Sequence, residues 1–175
     1  MSPSILACAV LLSVVTAYTD LRWRRIPNWI TVPGFFLGLG LNVAHSGWAG
    51  LKTSLLGAGL GLLVLFPFVA LRSLGAGDWK LAGCLGSFFG PSALIDLLLF
   101  SIFMAGLMAA ALIIYKRRVR ETMRNLKHLV GSLVTFHMPG PEVSLDNPHS
   151  LKVPYGVALA FTVVLYGIAH TWGAL

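Results

Sequence analysis

Charge is scarce in this chain: only 11% of its 175 residues are Asp, Glu, Lys or Arg. A soluble domain carries roughly 25%. With 57% hydrophobic residues there is too little polar surface to coat a soluble globule of this size. Acids are scarcer still, six Asp and Glu against thirteen Lys and Arg. Cysteine is nearly absent. Cys8 and Cys84 both sit inside apolar stretches and form no CxxC, so neither a zinc ribbon nor a disulfide framework can be built. No Lys or Arg precedes the first apolar run, which therefore reads as a membrane helix rather than a cleaved signal peptide. Internal repeats and soluble-domain boundaries are missing as well.

What is there is a series of long apolar runs. They predict helices over about 3–19, 29–44, 51–71, 81–89, 92–115 and 153–171. The turn at His45-Ser46-Gly47-Trp48 is polar, and Gly90-Pro91 ends the short fourth helix. Pro67 predicts a kink in the third. After 115 comes Lys116-Arg117-Arg118-Val119-Arg120, a stop signal. Val119, Met123, Leu126, Val130 and Leu133 then recur at helical spacing among basic residues. That pattern predicts a basic amphipathic helix lying on an anionic leaflet, ended by Pro139-Gly140-Pro141. The expected fold is all-α, a polytopic membrane helical bundle of about six transmembrane helices. It forms one membrane-embedded domain over 1–175, with the interfacial helix in a cytoplasmic loop at 116–150.

Orientation follows from the basic residues. Loops at 20–28, 72–80 and 116–152 hold every Lys and Arg except Lys52. The positive-inside bias places these loops in the cytoplasm and both termini outward. Basic residues that flank apolar runs are not a nucleic-acid stripe, so the partner read from them is the lipid bilayer and not nucleic acid.

Two aspartates stand where apolar runs meet positive charge. One is in Asp20-Leu21-Arg22-Trp23-Arg24-Arg25-Ile26-Pro27-Asn28, the other in Gly75-Ala76-Gly77-Asp78-Trp79-Lys80. Two crossings separate them, so their helix ends can be neighbours on one face. Each acid alone could simply pair with an arginine or cap a helix. Together they can share a proton and activate water. Gly75 and Gly77 free the backbone to place Asp78 and let an extended substrate strand approach.

These two blocks resemble the signatures of the type IV prepilin peptidases, membrane aspartyl proteases of the GxGD type. Val153-Pro154-Tyr155-Gly156-Val157-Ala158-Leu159-Ala160 resembles the family's last membrane segment, although Phe161 stands where glycine is frequent. The resemblance covers nearly all of the chain except 116–150. It implies that Asp20 and Asp78 are the catalytic pair. It further implies cleavage of the short basic leader of pilin-like precursors at the cytoplasmic face of a bacterial inner membrane, with prepilins and pseudopilins as substrate partners. Helix 1 leads directly to Asp20 and CxxC is absent, so the chain resembles the short, peptidase-only members that serve Flp/Tad-type pili. Neither a cofactor nor a metal is implied.

The remaining polar residues have plainer readings. Lys80 either holds Asp78 or a substrate acid, or snorkels to the interface. Asn28 reads as a helix cap after Pro27. Asp96 sits inside an apolar run near the outer side, where it can hydrogen-bond within the bundle. His137, Glu142, Asp146 and His149 match no metal-ligand spacing. Two other functions compete with the peptidase: a small proton-coupled transporter, and a silent assembly protein of a secretion system. Transporters hold such acids near the midplane rather than at helix ends on one face. A silent protein would not need both aspartates, and both are present. Oligomeric state is not legible in the chain.

Overall fold

The computed structural model describes residues 2–70, 74–117 and 155–173. All of its regular structure there is helical: α1 (Pro3–Trp23), α2 (Asn28–Ala70), α3 (Ala76–Tyr115) and α4 (Tyr155–Thr171). The first three are long and apolar enough to cross a membrane. Met1–Ala105 and Pro154–Leu175 form one compact unit, and Gly106–Val153 forms another whose described part is chiefly the end of α3. The expected amphipathic helix and the four polar residues from His137 to His149 lie outside the described residues.

Two of the long helices are broken at glycines. Gly47 in α2 has φ 56°, and Gly90 in α3 has φ 72°. Both are left-handed values that a side chain resists. The polar turn and the Gly-Pro pair seen in the sequence fall at these breaks. The chain doubles back at each. A Cβ on Gly50 would overlap the Asn42 carbonyl, and one on Gly61 would meet both Ala82 and Leu94.

A break in an apolar environment leaves carbonyls without donors, which must be satisfied inside the bundle. Pro91 has no N–H to give Ser87, four residues earlier. Asn42 Nδ2 (2.9 Å) and Ser54 Oγ (2.7 Å) take that carbonyl instead. Asn42 also reaches the Phe88 carbonyl at 3.1 Å. One asparagine on α2 thereby seals the break in α3.

The polar–apolar distribution is inverted relative to a soluble protein. Ser13, Thr16, Ser54, Ser87 and Ser101 are buried. Ser13 and Thr16 bond carbonyls of their own helix at 2.7 and 2.9 Å, so their burial leaves no donor unpaired. Leu11, Phe36, Leu56, Leu63, Phe100 and Phe103 point outward. Such a surface suits lipid. The core is built from Ile5, Leu81, Leu85, Phe88, Leu97, Leu159 and Val163. Gly57 and Gly86 bring α2 and α3 together backbone to backbone, the small-residue contact that membrane helices favour.

Helix α4 runs antiparallel to α1. Gly156 lies beside Asp20, and Gly167 lies beside Leu6 and Val10. The close of α1, the start of α2, the start of α3 and the start of α4 converge at one end of the unit.

Candidate active site

Asp20 is in the last turn of α1, which continues to Trp23 instead of stopping near Thr19. Arg24 closes the helix in a left-handed conformation, φ 52°, and its N–H bonds the Asp20 carbonyl at 2.9 Å. This is the usual αL way to end a helix, here without glycine. The Arg24 charge acts on the Asp20 carboxylate.

Asp78 is in the first turn of α3, the favourable end of the helix dipole for an acid. The Gly75 carbonyl accepts the Trp79 N–H at 3.3 Å, which starts the helix. A Cβ on Gly75 would lie 3.1 Å from Asp78 Oδ2, and one on Gly77 would lie 3.1 Å from Ile26 Cβ. Both glycines thus stand where the chain packs against the acid or its support. Trp79 Nε1 bonds the Leu62 carbonyl at 2.7 Å and ties the start of α3 to the second half of α2.

The two acids face one cleft of about 510 Å³, which is also lined by Arg24, Arg25, Ile26, Pro27, Asn28 and Gly75–Asp78. They are close enough that the Asp20 charge acts on Asp78. Asp20 is buried at 8% exposure, and its Oδ2 has no hydrogen-bond partner. Asp78 is half-buried. Ile26 is buried beneath them. Chemically, this is a carboxylate pair with one inner member, one more open member and room for an extended chain beside them.

Residues 5–110 match the type IV leader peptidase family, and this stretch contains both aspartates. The chain belongs to that family. It is 26% identical over 125 residues to the "Prepilin leader peptidase/N-methyltransferase" of Xanthomonas campestris pv. campestris. That match covers 67% of this chain and 42% of the relative, so the chain spans less than half of the relative's length. No solved structure matches.

The other residues singled out in the sequence fall in two groups. Lys80 and Asn28 are together: Lys80 Nζ donates to Asn28 Oδ1 at 3.0 Å, at the edge of the cleft. Asn28 is the first residue of α2, and the Pro27 carbonyl accepts from Ile30 and Thr31. Asp96 is elsewhere. Its charge acts on Tyr166, whose ring packs against Phe89 near the far end. Among the described residues, no three His, Cys, Asp or Glu side chains are grouped to hold a metal ion.

Sequence reasoning assigned no part in the site to the start of α4. The backbone amides of Gly156 and Val157 act on Asp20, and those of Gly156 and Gly75 act on Asp78. Tyr155 shares a 2.7 Å hydrogen bond with Ser101 and feels the Asp78 charge. The Tyr155-Gly156 pair was visible as part of a motif. Its approach to the aspartates depends on the packing of distant helices, which no local pattern encodes.

Proposed function

We propose that this chain is an aspartyl endopeptidase of the GxGD type, with Asp20 and Asp78 as the catalytic pair. Its substrates are type IV prepilins of the Flp-like class, cut at their short leader on the cytoplasmic face of the bacterial inner membrane. The observation that carries this reading is the meeting of Asp20, from the end of α1, and Asp78, from the start of α3, at one cleft. A buried oxygen with no donor, such as Asp20 Oδ2, is a costly place for a full negative charge. Sharing one proton across the pair lowers that cost. The ionised member then takes a proton from the attacking water while the protonated member polarises the scissile carbonyl. Gly75 and Gly77 hold the loop ahead of Asp78 close to its support, and Lys80 with Asn28 forms the rim of the cleft.

The proposed topology has about six crossings, with the breaks at Gly47 and Gly90 as two of the turns. The aspartates then lie at the cytoplasmic face and both termini face outward, with the basic 116–150 segment along the inner leaflet. The test is co-expression with a Flp-like prepilin, read as the shift from precursor to mature pilin. Unprocessed precursor beside normally accumulated wild-type chain would refute the reading.

A further inference from the structure

The aspartate pair leans on a third element, the first turn of α4. A Cβ built on Gly156 would stand 2.9 Å from Asp20 Oδ2, 3.3 Å from Asp20 Cγ and 3.0 Å from Ile26 Cδ1. The first two distances involve the carboxyl group of the buried Asp20, whose displacement would turn it from its place beside Asp78. Ile26 Cδ1, in contrast, is the end of a flexible side chain. The Gly156 amide acts on both carboxylates, and it belongs to the helix end whose free N–H groups carry partial positive charge. The Asp20 Oδ2 oxygen that faces this bare backbone is the one left without a partner.

Helix α4 is also fixed where it stands. Tyr155 is bonded to Ser101, the Tyr166 ring packs edge-on against Phe89 at 5.5 Å, and Gly167 lies against Leu6 and Val10. The helix cannot back away to admit a methyl group without breaking these contacts. An added side chain at 156 must therefore move Asp20.

We propose that Gly156 is a positioning residue for the aspartate pair: its side-chain-free backbone is the seat that holds the Asp20 carboxylate facing Asp78. The inference rests on the peptidase reading above. In it, the start of α4 contributes geometry rather than a reacting group. A displacement of about 1 Å at a reacting group costs on the order of 100-fold in rate.

The test is prepilin cleavage by Gly156→Ala in detergent or proteoliposomes, with Gly167→Ala as the control on the same helix. A Cβ at 167 meets only ordinary contacts, 3.4 Å and beyond. Gly156→Ala should lower kcat by about 100-fold, leave KM within about threefold and displace the pH profile of kcat, since the carboxylates no longer face one another as before. Gly167→Ala should cleave normally. Adding Ile26→Val removes the Cδ1 contact but not the carboxyl one, so it should not restore the rate. Normal rate and pH profile in Gly156→Ala, or restoration by Ile26→Val, would overturn the proposal. Should Gly156→Ala fail to accumulate, the Asp20→Ala, Gly156→Ala pair decides. Recovery of accumulation shows that the methyl acts through Asp20, and continued loss makes Gly156 a packing residue only and overturns the proposal. A wild-type chain inactive on prepilin overturns this inference together with the peptidase reading. An active wild type with an equally active Gly156→Ala overturns the inference alone.

Discussion

Lys80 gives its ammonium group to the side-chain carbonyl of Asn28, 3.0 Å away. The bond joins the start of α3 to the start of α2 at the cleft edge. An exposed bond of this kind contributes modestly, about 1 kcal/mol, because water competes for both partners.

From that bond we expect Lys80→Met and Asn28→Ala each to slow prepilin cleavage by less than about tenfold. The two changes remove one shared interaction, so the double variant should be close to either single one. Initial rates at matched expression measure this. Losses that multiply in the double variant would show that the two residues act separately.

Asn42 is expected to matter for stability and not for cleavage. Its amide supplies the Ser87 and Phe88 carbonyls at the Gly90 break. Asn42→Leu leaves Phe88 without that donor and Ser87 with Ser54 alone. A buried carbonyl without a donor costs about 1–3 kcal/mol. Thermal unfolding in detergent should show a lowered midpoint, while the protein that remains folded cleaves at the wild-type rate. An unchanged midpoint would mean that water or another group replaces Asn42.

Much of this architecture is legible in the sequence because its signals are local. Apolar runs mark the helices, and the polar turn at Gly47 and the Gly90-Pro91 pair mark the breaks. Asp20 and Asp78 stand out because acids are rare and each sits at the border of an apolar run. The end of α1 was less legible. The uninterrupted apolar run stops near Thr19, but the helix continues to Trp23 because Arg24 closes it through the Asp20 carbonyl. Hydropathy marks where the apolar run ends, not where the hydrogen-bond ladder ends. Asn28 has the residue type of a cap, yet its side chain accepts from Lys80. That partner lies far off in sequence. The role of Gly156 depends on which backbone passes Asp20, a fact of register between α1 and α4.

The proposed orientation can be checked directly. Reporter insertions after Arg25, Gly77 and Asn125 should all report the cytoplasm, because loops containing every Lys and Arg but Lys52 then lie inward. A periplasmic signal at either aspartate loop would overturn the proposed cytoplasmic placement of the two acids.

The decisive expectation concerns the pair. Asp→Asn keeps size and shape but removes the proton that the two carboxyls are proposed to share. Asp20→Asn and Asp78→Asn should each reduce prepilin cleavage by at least about 10²–10⁴-fold, the range that a positioned acid or base contributes. Both variants should still accumulate in the membrane. Asp20→Asn keeps a side-chain oxygen for the Gly156 and Val157 amides to act on, and Asp78 lies at an open cleft. The double variant should be no worse than either single one, because the members of one catalytic unit do not contribute additively. Asp96→Asn should cleave normally, since Asp96 acts on Tyr166 and not on the pair. Two carboxylates that titrate as a unit also lose function at both extremes of pH: in acid when both are protonated, and in alkali when neither is. The wild-type rate should therefore be bell-shaped in pH. Near-normal processing by either Asp→Asn variant at normal abundance would rule out the carboxylate-pair mechanism and leave the two acids as structural groups of the membrane bundle.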